Sequence, residues 1–292
     1  MSAELFLQFL TNAVVMGALY GLMGLSFGII YSTTKILHFA HGSVYVGAAY
    51  LFYVFYGIFN LALVPSAGLT LALTGLLGVA TMRYLYGPLI KRGASGLVIL
   101  IASLGLYIVS ENAVVIVFSN ETRVLSKAAV SQGLQLGMVV VTPLQVAIVA
   151  IAIVIFLLTF ALMRYSRLGR ALRGMADDVG MAEIVGMEVP RLRYAIFGLG
   201  SVILGVAAIL NGLDVGIHPG MGLMVVLIAA VAAIIGGASG ILTGIAGGVV
   251  IAFLQNFGIL WIDPRWQNLI TFSALVLVLA VRPAGLFGRQ NA

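Results

Sequence analysis

Residues 164–193 read RYSRLGRALRGMADDVGMAEIVGMEVPRLR. The whole chain of 292 residues carries only fifteen Lys or Arg and nine Asp or Glu. Ten of those charges fall in this stretch: Arg164, Arg167, Arg170, Arg173, Asp177, Asp178, Glu183, Glu188, Arg191 and Arg193. Apolar runs of membrane-spanning length flank it on both sides, so it is a polar island between spans. Within it Leu168, Ala171, Leu172, Met175, Val179 and Ala182 recur at helical spacing, with Arg170, Arg173 and Asp177 off that stripe. Gly174 and Gly180 weaken one long helix, which predicts two short helices meeting near Asp177-Asp178, the second capped by Asp178. Pro190 predicts a turn into the next span. An amphipathic helix pair beside a membrane either lies on the headgroups or fits a cleft on a partner protein, and spacing alone leaves both open.

Outward from the island, the composition is that of a membrane protein. Hydrophobic residues make up 62% and charged residues 8%, against about 25% charged in soluble domains. The apolar runs cover about 8–31, 36–58, 66–83, 95–118, 143–163, 194–211, 223–236, 241–258 and 267–281. The fold class is therefore an all-α polytopic membrane protein with about 8–9 transmembrane or broken helices, forming a single domain over 1–292. The run 223–236 is too short to cross alone, and the turn Gly236-Gly237-Ala238-Ser239-Gly240 separates it from its successor. Gly17, Gly21, Gly24 and Gly28 line one face of the first span and predict close helix contact. Loop 119–142 ends in GLQLGMVVVT, whose alternation predicts a strand or hairpin. The tryptophans of WIDPRWQ suit a membrane interface.

No Lys or Arg precedes Lys35, so the first run reads as a retained span with its amino terminus outside. Nine segments then put Lys35, Arg83, Lys91, Arg92, the six island arginines, Arg282 and Arg289 inside, and Arg123, Lys127 and Arg265 outside. Twelve against three is a strong positive-inside bias. The net charge of +6 is thus a topology signal and not a nucleic-acid footprint. Island 164–193 is expected to be cytoplasmic, as is the carboxyl terminus, with 119–142 outside. The chain has no cysteine, and its three histidines lack metal-ligand spacing, so no metal site is expected.

Beyond these readings, four stretches carry a resemblance: YGLMGLSFGIIYSTTKILHFAHGSVYVGAAY, the island with the span after it, LIAAVAAIIGGASGILTGIAGGVV, and RPAGLFG. Together they resemble the permeases of branched-chain amino acid ABC transporters, in the right order and over most of the chain, nearer the shorter of the two paralogous permeases. Ala182-Glu-Ile-Val-Gly186 is similar to the Ala-x-x-x-Gly core of the loop by which importer permeases dock on their ATPases. The resemblance implies the ABC importer permease fold and a half-channel that pairs with a second permease, a paralogue or a copy of itself. It also implies two cytoplasmic ATPases and a periplasmic or lipid-anchored solute-binding protein. Arg170, Asp177, Asp178, Ala182, Glu183 and Gly186 would be the coupling residues. No Gly-x-x-x-x-Gly-Lys-Ser/Thr run is present, so ATP and Mg²⁺ would be bound by the partner ATPases, with no cofactor on this chain. The implied place is a bacterial inner membrane. Urea, short amides and aromatic acids stand as alternative solutes, and a passive facilitator as the alternative mechanism.

Two polar breaks are candidates for the translocation path. His38, Phe39, His41, Gly42 and Ser43 sit early in the second segment, where polar groups at membrane depth mark either a solute path or interhelical glue. A helix interrupted at Gly42 would free backbone groups for a solute. His38 departs from the family, which more often has Asn there. Gly236, Gly237, Ser239 and Gly240 form the late break, open to the same path reading or to close packing. Glu111-Asn112, where the family often has Gln-Asn, is a possible further pathway pair. No carboxylate pair, His-Glu-x-x-His or Gly-x-Ser-x-Gly lies in a span, so no catalytic residue is expected.

Overall fold

A computed structural model describes residues 2–125, 133–137 and 139–288. Helix α1 (Ala3–Thr34) is capped by Ser2, whose hydroxyl accepts from the Leu5 N–H. It ends at Lys35, in the left-handed conformation at φ 56°. An extended link leads to α2 (His41–Phe52), which runs on through a π-helical turn, Tyr53–Ile58. Helix α3 (Leu63–Ala80), a second π-turn (Thr81–Tyr86) and α4 (Gly87–Lys91) make one rod, followed by α5 (Gly96–Phe118). Strands β1 (Leu134–Leu136) and β2 (Val139–Val141) form the expected hairpin, antiparallel with Leu134 opposite Val141. Then come α6 (Pro143–Tyr165), α7 (Arg167–Asp177), α8 (Val179–Ile184) and α9 (Val189–Val215). Helices α10 (Met221–Gly237) and α11 (Thr243–Gly258), a 3₁₀ turn (Pro264–Trp266) and α12 (Gln267–Val281) close the described chain.

Each apolar run expected from the sequence falls mainly on a helix, the runs from 36 and 241 beginning a few residues before theirs. Among the described residues six helical stretches are long and apolar enough to cross a membrane, while α10 and α11 are shorter. One boundary differs for a clear reason. Pro190 lies in the first turn of α9, where its missing N–H costs no hydrogen bond, so it starts the helix instead of making the turn before it.

Helix α1 is the centre. Of its most apolar window 89% is buried, against 11% for the last span, which lies at the edge of the bundle with its flanks uncovered. The glycine face of α1 lies on α11: Gly17 faces Val249, Gly21 faces Ile245, and Gly24 and Gly244 each lie against the other's backbone carbonyl. Gly248 packs on the Tyr20 backbone and Gly247 on the Ala232 carbonyl, which draws α10 into the same bundle. A Cβ at any of these last positions would occupy space already filled by main chain.

Contacts sort the helix ends onto two faces. On one, the Gln8 side-chain amide donates to the Val140 carbonyl and accepts the Val140 N–H, both at 3.1 Å. Phe6 meets Phe257, and Arg123 exchanges backbone hydrogen bonds with Ile217 at 2.8 and 2.9 Å. On the other, Arg164, Arg173 and Leu242 line one cavity, and Lys35, Ala94 and Arg193 line another. There the Leu286 N–H reaches the Ile235 carbonyl at 2.8 Å. The hairpin loop and the island thus lie at opposite ends of the helices. Lys127 and Arg289 lie outside the described residues.

Candidate functional site

The island folds as two helices joined at Asp178. Ser166 ends α6 and begins α7: its hydroxyl donates to the Leu162 carbonyl and accepts from the Gly169 N–H. Gly169 sits against the Leu162 and Met163 backbone, where a side chain would force α7 off α6. Leu172 and Met175 are buried, and α7 rests on α6, α1 and α9. Arg170 stays exposed and donates to the Tyr165 carbonyl at 3.2 Å. Asp177 is exposed at the end of α7. Asp178 caps α8, its Oδ1 accepting from the Met181 N–H at 3.0 Å.

Helix α8 stops by a defined mechanism. The Gly186 N–H donates to the Glu183 carbonyl at 3.0 Å, and the Met187 N–H to the Ala182 carbonyl at 2.9 Å. This paired 5→2 and 6→1 arrangement is a Schellman motif, and it needs a left-handed residue after the cap. Gly186 supplies it at φ +83°. The two ends of Ala182-Glu-Ile-Val-Gly186 therefore have separate jobs: Ala182 anchors α8 inward, and Gly186 ends it. Ala182 is the buried residue of α8, while Met181, Ile184 and Val185 are 56%, 81% and 61% exposed. Glu183 and Gly186 are exposed as well. The island's second helix thus leaves Met181, Ile184 and Val185 uncovered.

The first break lies at 35–40, before Gly42 and not at it, since α2 begins at His41. His38 and His41 are fully enclosed. The His38 Nδ1 shares a hydrogen bond with the Tyr86 hydroxyl at 2.6 Å, and the His41 Nε2 with the Ser26 hydroxyl at 3.0 Å. Their ring centroids are 5.1 Å apart, with Phe197 5.0 Å from His38. Each ring thus bonds a neighbouring element through one nitrogen, while His38 Nε2 and His41 Nδ1 are buried with no partner among the described residues. The half-buried Phe39 donates its N–H to the Ser103 hydroxyl at 3.3 Å. Gly42 is a contact glycine: Gly222 of α10 and Tyr107 of α5 fill the space a Cβ would need. The Ser43 hydroxyl is buried without a partner among the described residues.

The second break is closed by the end of the chain. The Leu286 N–H donates to the Ile235 carbonyl and the Phe287 N–H to the Gly236 carbonyl. Gly237, at φ +129°, packs against Gly285 and Gly288. The Thr243 hydroxyl contacts the Gly237 and Gly240 carbonyls at 2.7 and 2.9 Å, pinning the turn. Of the four residues, Ser239 is exposed and Gly240 half-buried, while Gly236 and Gly237 are buried. The GGASG and RPAGLFG stretches are thus one structure.

Glu111 is half-buried on α5, beside Tyr107 and the Gly220 turn. Asn112 is exposed and donates to the Ile108 carbonyl. The structure does not bring this pair to either break. It does assemble a buried polar chain unseen in the sequence: the Tyr20 hydroxyl donates to Gln255 Oε1 at 2.9 Å, and the Gln255 amide to the Thr271 hydroxyl, tying α1, α11 and α12 together. Arg123 is a second. It donates to the Phe118 carbonyl and the Tyr53 hydroxyl and lies over the Tyr53 ring, clamping the hairpin-side face.

The family profile described as "Branched-chain amino acid transport system / permease component" matches residues 9–279. The chain is 29% identical to the high-affinity branched-chain amino acid transport system permease protein BraD of Pseudomonas aeruginosa, over 98% of this chain and 97% of that protein. It is 27% identical to the corresponding protein LivH of Escherichia coli strain K12, over 98% and 96%. Among solved structures it resembles PsaBC from Streptococcus pneumoniae, determined in complex with a Fab, at a TM-score of 0.57 and 16% identity, over 97% of both chains. That last likeness speaks to the fold alone.

Proposed function

From the premise that this chain belongs to the branched-chain amino acid transport system permease family, we propose that it is the membrane-spanning subunit of an ATP-binding cassette importer for branched-chain or other hydrophobic amino acids. In this reading it lies in a bacterial inner membrane, amino terminus outside and island cytoplasmic. It pairs with a second permease, a paralogue or a copy of itself. Two ATPases bind ATP and Mg²⁺ and drive it, and a solute-binding protein loads it from outside. The chain itself does no chemistry.

One observation carries the docking part: α8 turns Met181, Ile184 and Val185 outward from a polar island. Such residues are costly in water unless a partner covers them. Glu183 is exposed on the same helix and Arg170 on the preceding one, and Asp177, Asp178, Ala182 and Gly186 set the shape that presents it. His38, His41 and Gly42 act as framework beside the path, with Phe39 and Ser43 nearer to it. Gly236, Gly237, Ser239 and Gly240 form the second hinge. Glu111 and Asn112 belong to the outer mouth.

The test is co-purification with the ATPase subunits and uptake of labelled leucine, isoleucine and valine by cells carrying the complete system. Glu183→Ala and Gly186→Trp are each expected to weaken ATPase binding and to lower uptake while the permease still reaches the membrane. Retention of the ATPase by both variants would overturn the docking assignment. Uptake of urea or short amides in place of the amino acids would overturn the substrate class.

A further inference from the structure

A cavity of about 540 Å³ opens on the island's face, between the α1–α2 link, the α4–α5 turn and the start of α9. Two cations line it, Lys35 and Arg193, and no carboxylate does. Neither makes an ion pair among the described residues. The Arg193 Nε is cut off from solvent and has no hydrogen-bond partner there. Lys35 donates to the Ser32 carbonyl at 2.9 Å, which leaves its other two N–H groups free. The 23-residue helix α5 starts at the same cavity. Ser95 takes up the Val98 N–H, so the N–H groups of Gly96 and Leu97, both lining residues, remain without a helical acceptor. Two cations and a helix N-terminus converge on one space with nothing negative in it.

The remaining walls are apolar, including Leu37, Ile90 and Leu100. Leu97 is 67% exposed, and Ile101, one turn further along α5, is 59% exposed. The apolar wall thus runs out of the cavity onto the flank of a spanning helix. A soluble anion would use the cations and waste that wall. A molecule with a charged phosphate and an acyl chain uses both. We propose that this cavity binds the headgroup of an anionic phospholipid of the leaflet on the island's side, with its acyl chain laid along α5. Basic pockets between spans at the membrane boundary are suited to such headgroups. The site is separate from the docking surface on α8 and holds whichever solute is carried.

The experiment uses the full chain in neutral detergent, titrated with dioctanoyl phosphatidylglycerol, dioctanoyl phosphatidylcholine or inorganic phosphate and read by native mass spectrometry and thermal shift. Phosphatidylglycerol is expected to bind and stabilise, with the other two ineffective at the same concentration. Lys35→Gln with Arg193→Gln should weaken it by about thirtyfold, from the usual gain per basic residue at an anionic surface. Lys35→Arg with Arg193→Lys should keep it. Arg164→Gln with Arg173→Gln removes the same charge from the neighbouring cavity and should leave it unchanged. Ala94→Trp fills the cavity from its rim without touching either cation and should abolish binding, which covers the case where the glutamine pair does not fold. Equal binding of phosphatidylcholine, equal stabilisation by phosphate, equal loss in the Arg164 and Arg173 control, or retention in Ala94→Trp would each overturn the proposal.

Discussion

Replacing Gly186 isolates one physical variable. A Cβ built there meets nothing within 4 Å, so a side chain brings no clash, and the whole cost is conformational. At φ +83° an alanine pays the left-handed penalty of about 1 kcal/mol, and a β-branched valine about 2 kcal/mol. Helix α8 has six residues, too few to hold itself, so its order depends on the Asp178 cap and the Schellman stop. Losing the left-handed residue therefore lowers the fraction of chains in which α8 is formed. If docking needs the formed helix, apparent affinity for the ATPase falls by that fraction. The expected losses are about fivefold for Gly186→Ala and about thirtyfold for Gly186→Val. Gly186→Asn should fall between glycine and alanine, because asparagine tolerates this region. The assay is an ATPase titration against the permease in nanodiscs, with the thermal midpoint of the membrane body as control, expected unchanged. A flat series, or one ordered by side-chain volume with asparagine no better than alanine, would refute the reasoning.

Gly244→Ala should lower the thermal midpoint strongly, by about 1–3 kcal/mol of overpacking, because its Cβ would meet the Gly24 carbonyl. Gly68→Ala, with nothing within 4 Å, should cost nothing in the same melt. Gln255→Leu breaks the chain from Tyr20 to Thr271 and should cost about 0.6–1.7 kcal/mol. A double-mutant cycle with Thr271→Val should show the two effects to be non-additive. Truncation after Ala284 frees the Ile235 and Gly236 carbonyls and should raise hydrogen exchange across 238–243 by about tenfold, leaving α1 protected.

The helices were legible because bilayer length and apolar composition are local properties, and the island was legible because its apolar stripe has helical period. The Gly17-to-Gly28 face announced a close contact, but only the fold names α11 as the partner. What stayed hidden was long-range. GGASG and RPAGLFG are about fifty residues apart, and their pairing runs through backbone groups, which leave no residue-type signature. Gln255 and Thr271 are polar residues in separate apolar runs, with nothing to say that they meet each other and Tyr20. Gly42 was readable as a break because glycine serves both bends and close approach. The residues that decide between those uses, Gly222 and Tyr107, lie on other helices. Arg193 reads as one charge among ten in the island, and only its place opposite Lys35 sets it apart.

If work is done at the island, the packing of one helix offers it a rigid route to the interior. Helix α9 follows α8 after a short turn and runs without a break from Val189 to Val215. Val189 is fully buried at its island end. Eight residues on, about 12 Å along the axis, Phe197 stands against His38 and Tyr86 at 5.0 and 5.4 Å between ring centroids. One turn further, Gly200 lies against the Ser26 carbonyl and Ile30, and Ser26 bonds His41. On its other side α9 is met by Gly78 of α3, which packs on the Phe197 carbonyl and Ser201. Close-packed contacts of this kind resist compression. A push on the island is therefore not absorbed by side-chain rearrangement at its root. Such a push is expected to move α9 as a rod and to be felt at His38, which Phe197 touches, and through Ser26 at His41.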